Sequence, residues 1–209
     1  MNVRYVSRWY TFAMKNSLLV VGVGALVIII GLYAISISKS SKSNGESSRI
    51  MSSSLSLTSS EFENGASIPP RFTCDAENSS PPFSWGGMPE GAKSLALTME
   101  DIDVPQQFNT GGRFVHWVLY GIPSDTKEIF VGKPVGVFGV NGLGKPTYTG
   151  PCPPREYEPS EHRYVITLYA LNTELQFEAP PTKPDLLKAM EGHILGQSEL
   201  RGTYKRVTQ

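Results

Sequence analysis

The side chains in this 209-residue chain whose types and settings could do chemistry are three histidines, two cysteines and an aspartate pair, Asp101 and Asp103. They centre on the stretch from Tyr148 to Tyr169. Gly150, Pro151, Cys152, Pro153 and Pro154 form a stiff loop, because prolines fix φ and remove backbone donors while glycine admits bends that other residues avoid. From Arg163 onward the chain is β-branched, aromatic and alternating, so His162 falls where a turn feeds a strand. An imidazole, Tyr164 two residues later and a rigid loop with free N–H groups would wall a small polar ligand. Asp101 and Asp103 close another strand-like run and share a face if the chain stays extended up to Pro105. Two carboxylates there suit general acid/base work, a metal site or the orienting of a histidine, and a solvated turn is the bland alternative. His116 interrupts an apolar strand, and alternation predicts it on the face opposite Val115 and Trp117; by itself it reads as a core histidine with a satisfied hydrogen bond. His193 reads as a surface residue of an amphipathic helix.

The elements that must position these groups are mainly strands. Residues 93–100, 113–120 and 163–171 have strand character and are separated by Gly/Pro-rich turns. One helix is expected from Pro184, with Leu186, Leu187, Met190 and Ile194 on its apolar face. No repeat or heptad occurs. Many strands with irregular connections and a late helix predict an all-β sandwich.

Four segments divide the chain. Residues 1–16 are a short basic tail, and residues 17–37 are an uncharged apolar run long enough for one transmembrane helix, which needs about 20 residues. Residues 38–54 are a Ser-rich flexible linker, and residues 55–209 are the folded domain. The alternative for the apolar run is a secretory signal cut after Ser38. The short tail favours a single-pass membrane protein with its domain extracytoplasmic. Up to Ser54 the chain carries six Lys/Arg against one acid, and beyond it thirteen against eighteen. An acidic domain without clustered Lys/Arg has no footprint for nucleic acid.

The order of the motifs carries a resemblance. Phe72-Thr73-Cys74-Asp75, Ser80 to Trp85, Asp101-Ile102-Asp103-Val104-Pro105, Phe114 to Tyr120, Gly150 to Pro154, His162-Arg163-Tyr164, Leu168 to Leu171 and Gly202 to Arg206 resemble the phosphatidylethanolamine-binding protein family, in its bacterial and archaeal Raf kinase inhibitor-like branch. The resemblance covers about 55–206. It implies a Greek-key β-sandwich with short C-terminal helical elements and a small anion pocket that accepts phosphate-like or carboxylate groups. The pocket wall would be Asp101, Asp103, His116, His162 and Tyr164, with Tyr148, Gly150, Cys152 and Pro154 opposite. Imidazoles and backbone N–H groups would donate to the anion while a carboxylate fixes a histidine tautomer. Two carboxylates beside an anion would make binding depend on imidazole charge, so affinity should rise as pH falls. One departure stands out: Ile102 occupies the family's proline position between the aspartates. A non-proline residue would pay about 2.5–4 kcal/mol to hold a cis bond there.

Cys74 and Cys152 both lie in segments expected beside the pocket. In an extracytoplasmic domain such a pair invites a disulfide; two buried free thiols, or a nucleophilic Cys152 beside His162, are the alternatives. The ligand types present would also permit a metal, although short-range ligand spacing is absent. No GxSxG elbow, P-loop, HExxH or dinucleotide fingerprint occurs, which points away from an enzyme and implies no cofactor. The expectation is a membrane-tethered, regulatory binding protein for a small anion or phospholipid headgroup, or for a protease or kinase partner. An extracytoplasmic serine protease inhibitor is the second expectation, and a metal- or Cys-dependent hydrolase the third.

Overall fold

On the central strands apolar residues sit at every second position on both faces, a pattern that a strand adopts when layers cover it from both sides. A computed structural model describes residues 54–107, 111–156 and 158–206. The basic tail, the apolar run 17–37 and the linker up to residue 53 lie outside the described residues. Among the described residues no helix is long and apolar enough to cross a membrane. The elements are β1 (Ser56–Thr58), a single 3-10 turn (Pro70–Phe72), β2 (Phe83–Gly86), β3 (Ser94–Asp101), β4 (Phe114–Pro123), β5 (Glu128–Ile129), β6 (Val137–Phe138), β7 (Glu161–Leu171), α1 (Lys183–Met190) and β8 (Ile194–Lys205).

Two antiparallel sheets form, ordered β1-β2-β5 and β6-β4-β3-β7-β8. In the larger sheet β3, β4 and β6 are successive neighbours and β7 returns beside β3, which is the strand order of a Greek key. Between the sheets, Leu57, Phe83, Trp85 and Ile129 of the smaller pack on Leu97, Met99, Trp117, Ile166 and Leu168 of the larger. The other face of the larger sheet carries Ala96, Val118, Tyr120, Tyr169 and Leu171, covered by Leu186 and Met190 of α1. All eight residues of β3 are therefore buried.

The C-terminal region differs from expectation. Thr182 caps α1 in a reciprocal capping box with Asp185, and the helix ends at Met190. Gly192, at φ 76°, turns the chain back, so Ile194 opens the twelve-residue strand β8 instead of extending the helix. His193 is exposed outside the helix, with Nδ1 2.8 Å from Asn172 Oδ1. β8 escapes a sequence reading because it is an edge strand: its first half is mostly exposed, and only Leu200, Gly202 and Tyr204 turn inward.

Candidate functional site

The inner face of the larger sheet changes chemistry at one end. Along β3 the inward row is Leu95, Leu97, Met99 and then Asp101; along β7, running the other way, it is Leu168, Ile166, Tyr164 and then His162. With a side-chain period of two, the polar residues inherit the buried face of the apolar rows before them. Asp101 pairs with Tyr164 across the strands, which brings the aspartate to the histidine next along. Asp101 Oδ2 lies 2.6 Å from His162 Nδ1, and the two side chains are 5% and 1% exposed. A carboxylate only accepts, so Nδ1 carries the proton and the second ring nitrogen, Nε2, is left as the reactive edge.

His116 reaches the same place by a different device. Met99 pairs with Trp117 and Glu100 with Val115, so His116 is the extra residue of a β-bulge. The bulge breaks the alternation, and His116 and Trp117 both face inward, which corrects the expectation for Trp117, while Val115 packs on the opposite face as anticipated. His116 stands edge-on to Tyr164 (centroids 5.2 Å apart) and to Phe114 (4.8 Å), with Nδ1 donating to the Thr149 carbonyl at 2.6 Å. Burial pushes its pKa below the ordinary 6.5, a shift that the Thr149 carbonyl only partly opposes. His116 is therefore a neutral imidazole at physiological pH.

These groups floor a cavity of about 410 Å³ whose sides are Val104, Pro105, Phe114, Leu143 and the loop from Gly150 to Pro154. Cys74 and Cys152 are joined in a disulfide that lines it. With its sulfur so engaged, Cys152 has no free thiol. Among the described residues no group of three or more His, Cys, Asp or Glu side chains could hold a metal. The peptide bond before Ile102 is trans; the one cis bond among the described residues is Glu158–Pro159.

Of the anticipated wall, Asp101, His116, Gly150, Cys152, Pro154 and His162 line the cavity, and Asp103, Tyr148 and Tyr164 do not. Asp103 fails to share the face of Asp101 because β3 ends at Asp101. Its N–H donates to Asp101 Oδ1 at 2.9 Å, and its carboxylate takes the Arg163 side chain at 2.7 and 2.8 Å and the Arg163 N–H at 2.8 Å. Those bonds hold its carboxyl below the usual range. Tyr148 is buried behind the wall: its hydroxyl donates to the Phe72 carbonyl at 2.7 Å and its ring meets Trp117 edge-on. Tyr164 is fully buried beneath His116, and burial with the nearby Asp101 carboxylate pushes its pKa up. Nor does the proline loop offer a row of free donors. The Gly150 N–H is already given to Asn78 Oδ1 at 2.8 Å.

Three buried side-chain atoms among the described residues have no hydrogen-bond partner: Trp117 Nε1, Tyr164 Oη and His162 Nε2. Only His162 of these belongs to the cavity lining. Sequence reasoning missed Asn78, Phe114, Leu143 and Thr149. Asn78 had a signal, since asparagine tolerates the left-handed conformation it adopts here, φ 55°. Its partner lies 72 residues away and had none.

Comparison with known proteins fits this architecture. A family model described as phosphatidylethanolamine-binding protein matches residues 58–205. A UPF0098 protein of Methanothermobacter thermautotrophicus is 43% identical over 159 residues, covering 73% of this chain and 99% of its own. One of Chlamydia pneumoniae is 40% identical over 153 residues, with the same coverage. Among solved structures, a phosphatidylethanolamine-binding protein homologue from Chlamydia trachomatis superposes with a TM-score of 0.71 at 38% identity, covering 75% of this chain and 100% of its own. YbcL of Escherichia coli gives 0.64 at 28%, covering 73% and 99%.

Proposed function

The chain belongs to the phosphatidylethanolamine-binding protein family, and on that premise we propose that it is a binding protein whose pocket takes a small anionic group, carboxylate or phosphate-like, on the imidazole of His162. The observation that carries this reading is the unpartnered Nε2 of His162. The side chain is 1% exposed, its Nδ1 is held by Asp101, its Nε2 is buried without a partner, and the residue lines the cavity. A buried polar atom costs stability when left unpaired, so a ligand that pairs it gains that energy. Asp101 fixes the ring, and the Pro-rich loop and disulfide keep the opposite wall preformed, which lowers the ordering cost of binding.

Binding should be linked to protons. Asp101 already places one negative charge under the site, Asp103 is paired with Arg163 beside it, and His116, Tyr164 and the β8 neighbour Tyr204 supply no positive charge. An anion therefore binds best when His162 is protonated on both nitrogens and donates through Nε2. Affinity rises as pH falls. Calorimetric titration of sodium acetate and sodium phosphate into the full chain and its His162→Ala variant tests this. Loss of a charge-assisted hydrogen bond should cost about 1.5–3 kcal/mol, roughly 10- to 150-fold in Kd. Equal affinity of the variant and the native chain would show that the anion sits elsewhere.

A further inference from the structure

The end of the larger sheet away from the imidazoles holds a second cleft. It encloses about 480 Å³ where β3 begins and β4 ends, and the length of β3 from Ser94 to Asp101 sets it roughly 20 Å from the first cavity. Its walls come from Lys93 and Ser94, the turn that carries Asp125 after β4, Val137 of β6 and the segment from Glu174 to Phe177. Among the described residues Lys93, Asp125 and Glu174 have neither an ion pair nor a side-chain hydrogen bond, although they line one cleft and differ in sign. One positive and two negative charges therefore stand apart around the same space.

The backbone fixes where each of them starts. The Lys93 N–H donates to the Leu171 carbonyl at 2.8 Å, and the Thr126 N–H closes the turn around Asp125 by donating to the Pro123 carbonyl at 3.1 Å. Glu174 follows Thr173, whose carbonyl accepts the hydroxyl of buried Ser94 at 2.6 Å. Between the charges the lining is apolar. Tyr120 and Phe177 meet edge to face with centroids 5.0 Å apart, Leu175 packs with them, and Val137, 51% exposed, borders the opening. Aromatic faces attract cations, and hydrocarbon of this kind accepts the methylene stem of an amphipathic chain.

That pattern narrows the ligand. A simple anion would answer Lys93 and meet two carboxylates. A diamine would answer the carboxylates and set a like charge against Lys93, and an amino acid with an apolar side chain would leave one carboxylate unanswered. A molecule with one carboxylate and two ammonium groups joined by a short alkyl chain answers all three charges, and the cleft volume suits a ligand of that size. We infer that this cleft binds a free diamino acid of the lysine type, its carboxylate on Lys93, its ammonium groups on Asp125 and Glu174, and its methylenes along Phe177 and Leu175. The site is separate from the imidazole cavity and does not rest on the reading of His162.

Calorimetric titration of the full chain at about pH 7 with L-lysine, L-norleucine and 1,5-diaminopentane tests it. L-lysine should bind on the order of fivefold tighter than either of the others, since each of those lacks one charge that a partly exposed pair would use. Lys93→Met should abolish the lead of lysine over the diamine. Asp125→Asn combined with Glu174→Gln should abolish its lead over norleucine. The two acids are exposed and the replacements keep side-chain size, and the three-ligand comparison on the native chain needs no variant. Equal affinity for the three ligands, no binding of lysine, or variants that bind all three as the native chain does would overturn the inference. None of these outcomes bears on His162, which the acetate and phosphate titrations test separately.

Discussion

At the scale of single residues, two histidines on one floor have opposite electrostatic tasks. His162 leans on a carboxylate and leaves Nε2 without a partner, whereas His116 leans on a carbonyl and is kept neutral by burial. A histidine whose folded pKa lies below its unfolded value binds fewer protons when folded than when unfolded. Its contribution to stability is therefore complete above the unfolded value, about 6.5, and is lost as pH falls through that value toward the folded one. Stability of the native chain should fall below about pH 6.5 with a slope of at most about 1.4 kcal/mol per pH unit from this group. His116→Asn, whose amide N–H stands where Nδ1 does toward the Thr149 carbonyl, should flatten that limb. Urea denaturation at several pH values checks it, and an unchanged slope in the variant would assign the acid limb to another group.

Among elements, the loop from Gly150 to Pro154 is held by contacts more than by its prolines. Phe72 and Thr73 pass so close that a Cβ on Gly150 would lie 2.3 Å from the Phe72 carbonyl oxygen and 2.5 Å from Asn78 Oδ1. The same Phe72 carbonyl accepts the Tyr148 hydroxyl, and the Cys74 N–H donates to the Pro151 carbonyl at 3.1 Å. Loop and 3-10 segment are thus zipped together along one wall of the cavity. Gly150→Ala should overpack this seam at a cost of about 1–3 kcal/mol and weaken acetate binding by shifting the wall. Thermal melting with a parallel titration measures both. An alanine variant as stable as the native chain would mean that the seam can open without loss.

For the whole molecule, the disulfide ties this seam across 78 residues of sequence. Next to it, Asp75 takes the Arg206 guanidinium at 2.7 and 2.9 Å and the Tyr204 hydroxyl at 2.7 Å, joining the Cys74 segment to the end of β8. Arg206 and then Tyr204 hold the Asp75 carboxyl below its ordinary 3.8, so this tie persists above that pH and is lost as pH falls below it. Closing a loop of this length removes about 4.5 kcal/mol of unfolded-chain entropy. Reduction should lower unfolding stability by up to that amount and leave the sheets folded. Denaturation with and without reductant, followed by far-UV circular dichroism, makes the comparison. Equal midpoints would show that the Asp75 network suffices alone.

The sequence by itself determined the strands that carry the site. Alternation in 93–100, 113–120 and 163–171 is a local signal, and it predicted β3, β4 and β7 to within a few residues; the ordered motifs identified the family. Turn chemistry likewise marked 150–154 as a loop. Only the tertiary structure decided what those strands did at their ends. The bulge at His116 depends on its register against β3. Asp103 turns away because Arg163 waits for it on the outer side of β7, 60 residues on. Tyr148, Tyr164 and the Gly150 N–H are consumed by distant partners, and β8 exists because the exposed β7 edge was there to pair with. Each of these outcomes is set by contacts between residues far apart in the chain. A periodic pattern records which face of a strand is buried, and it carries no record of what lies opposite.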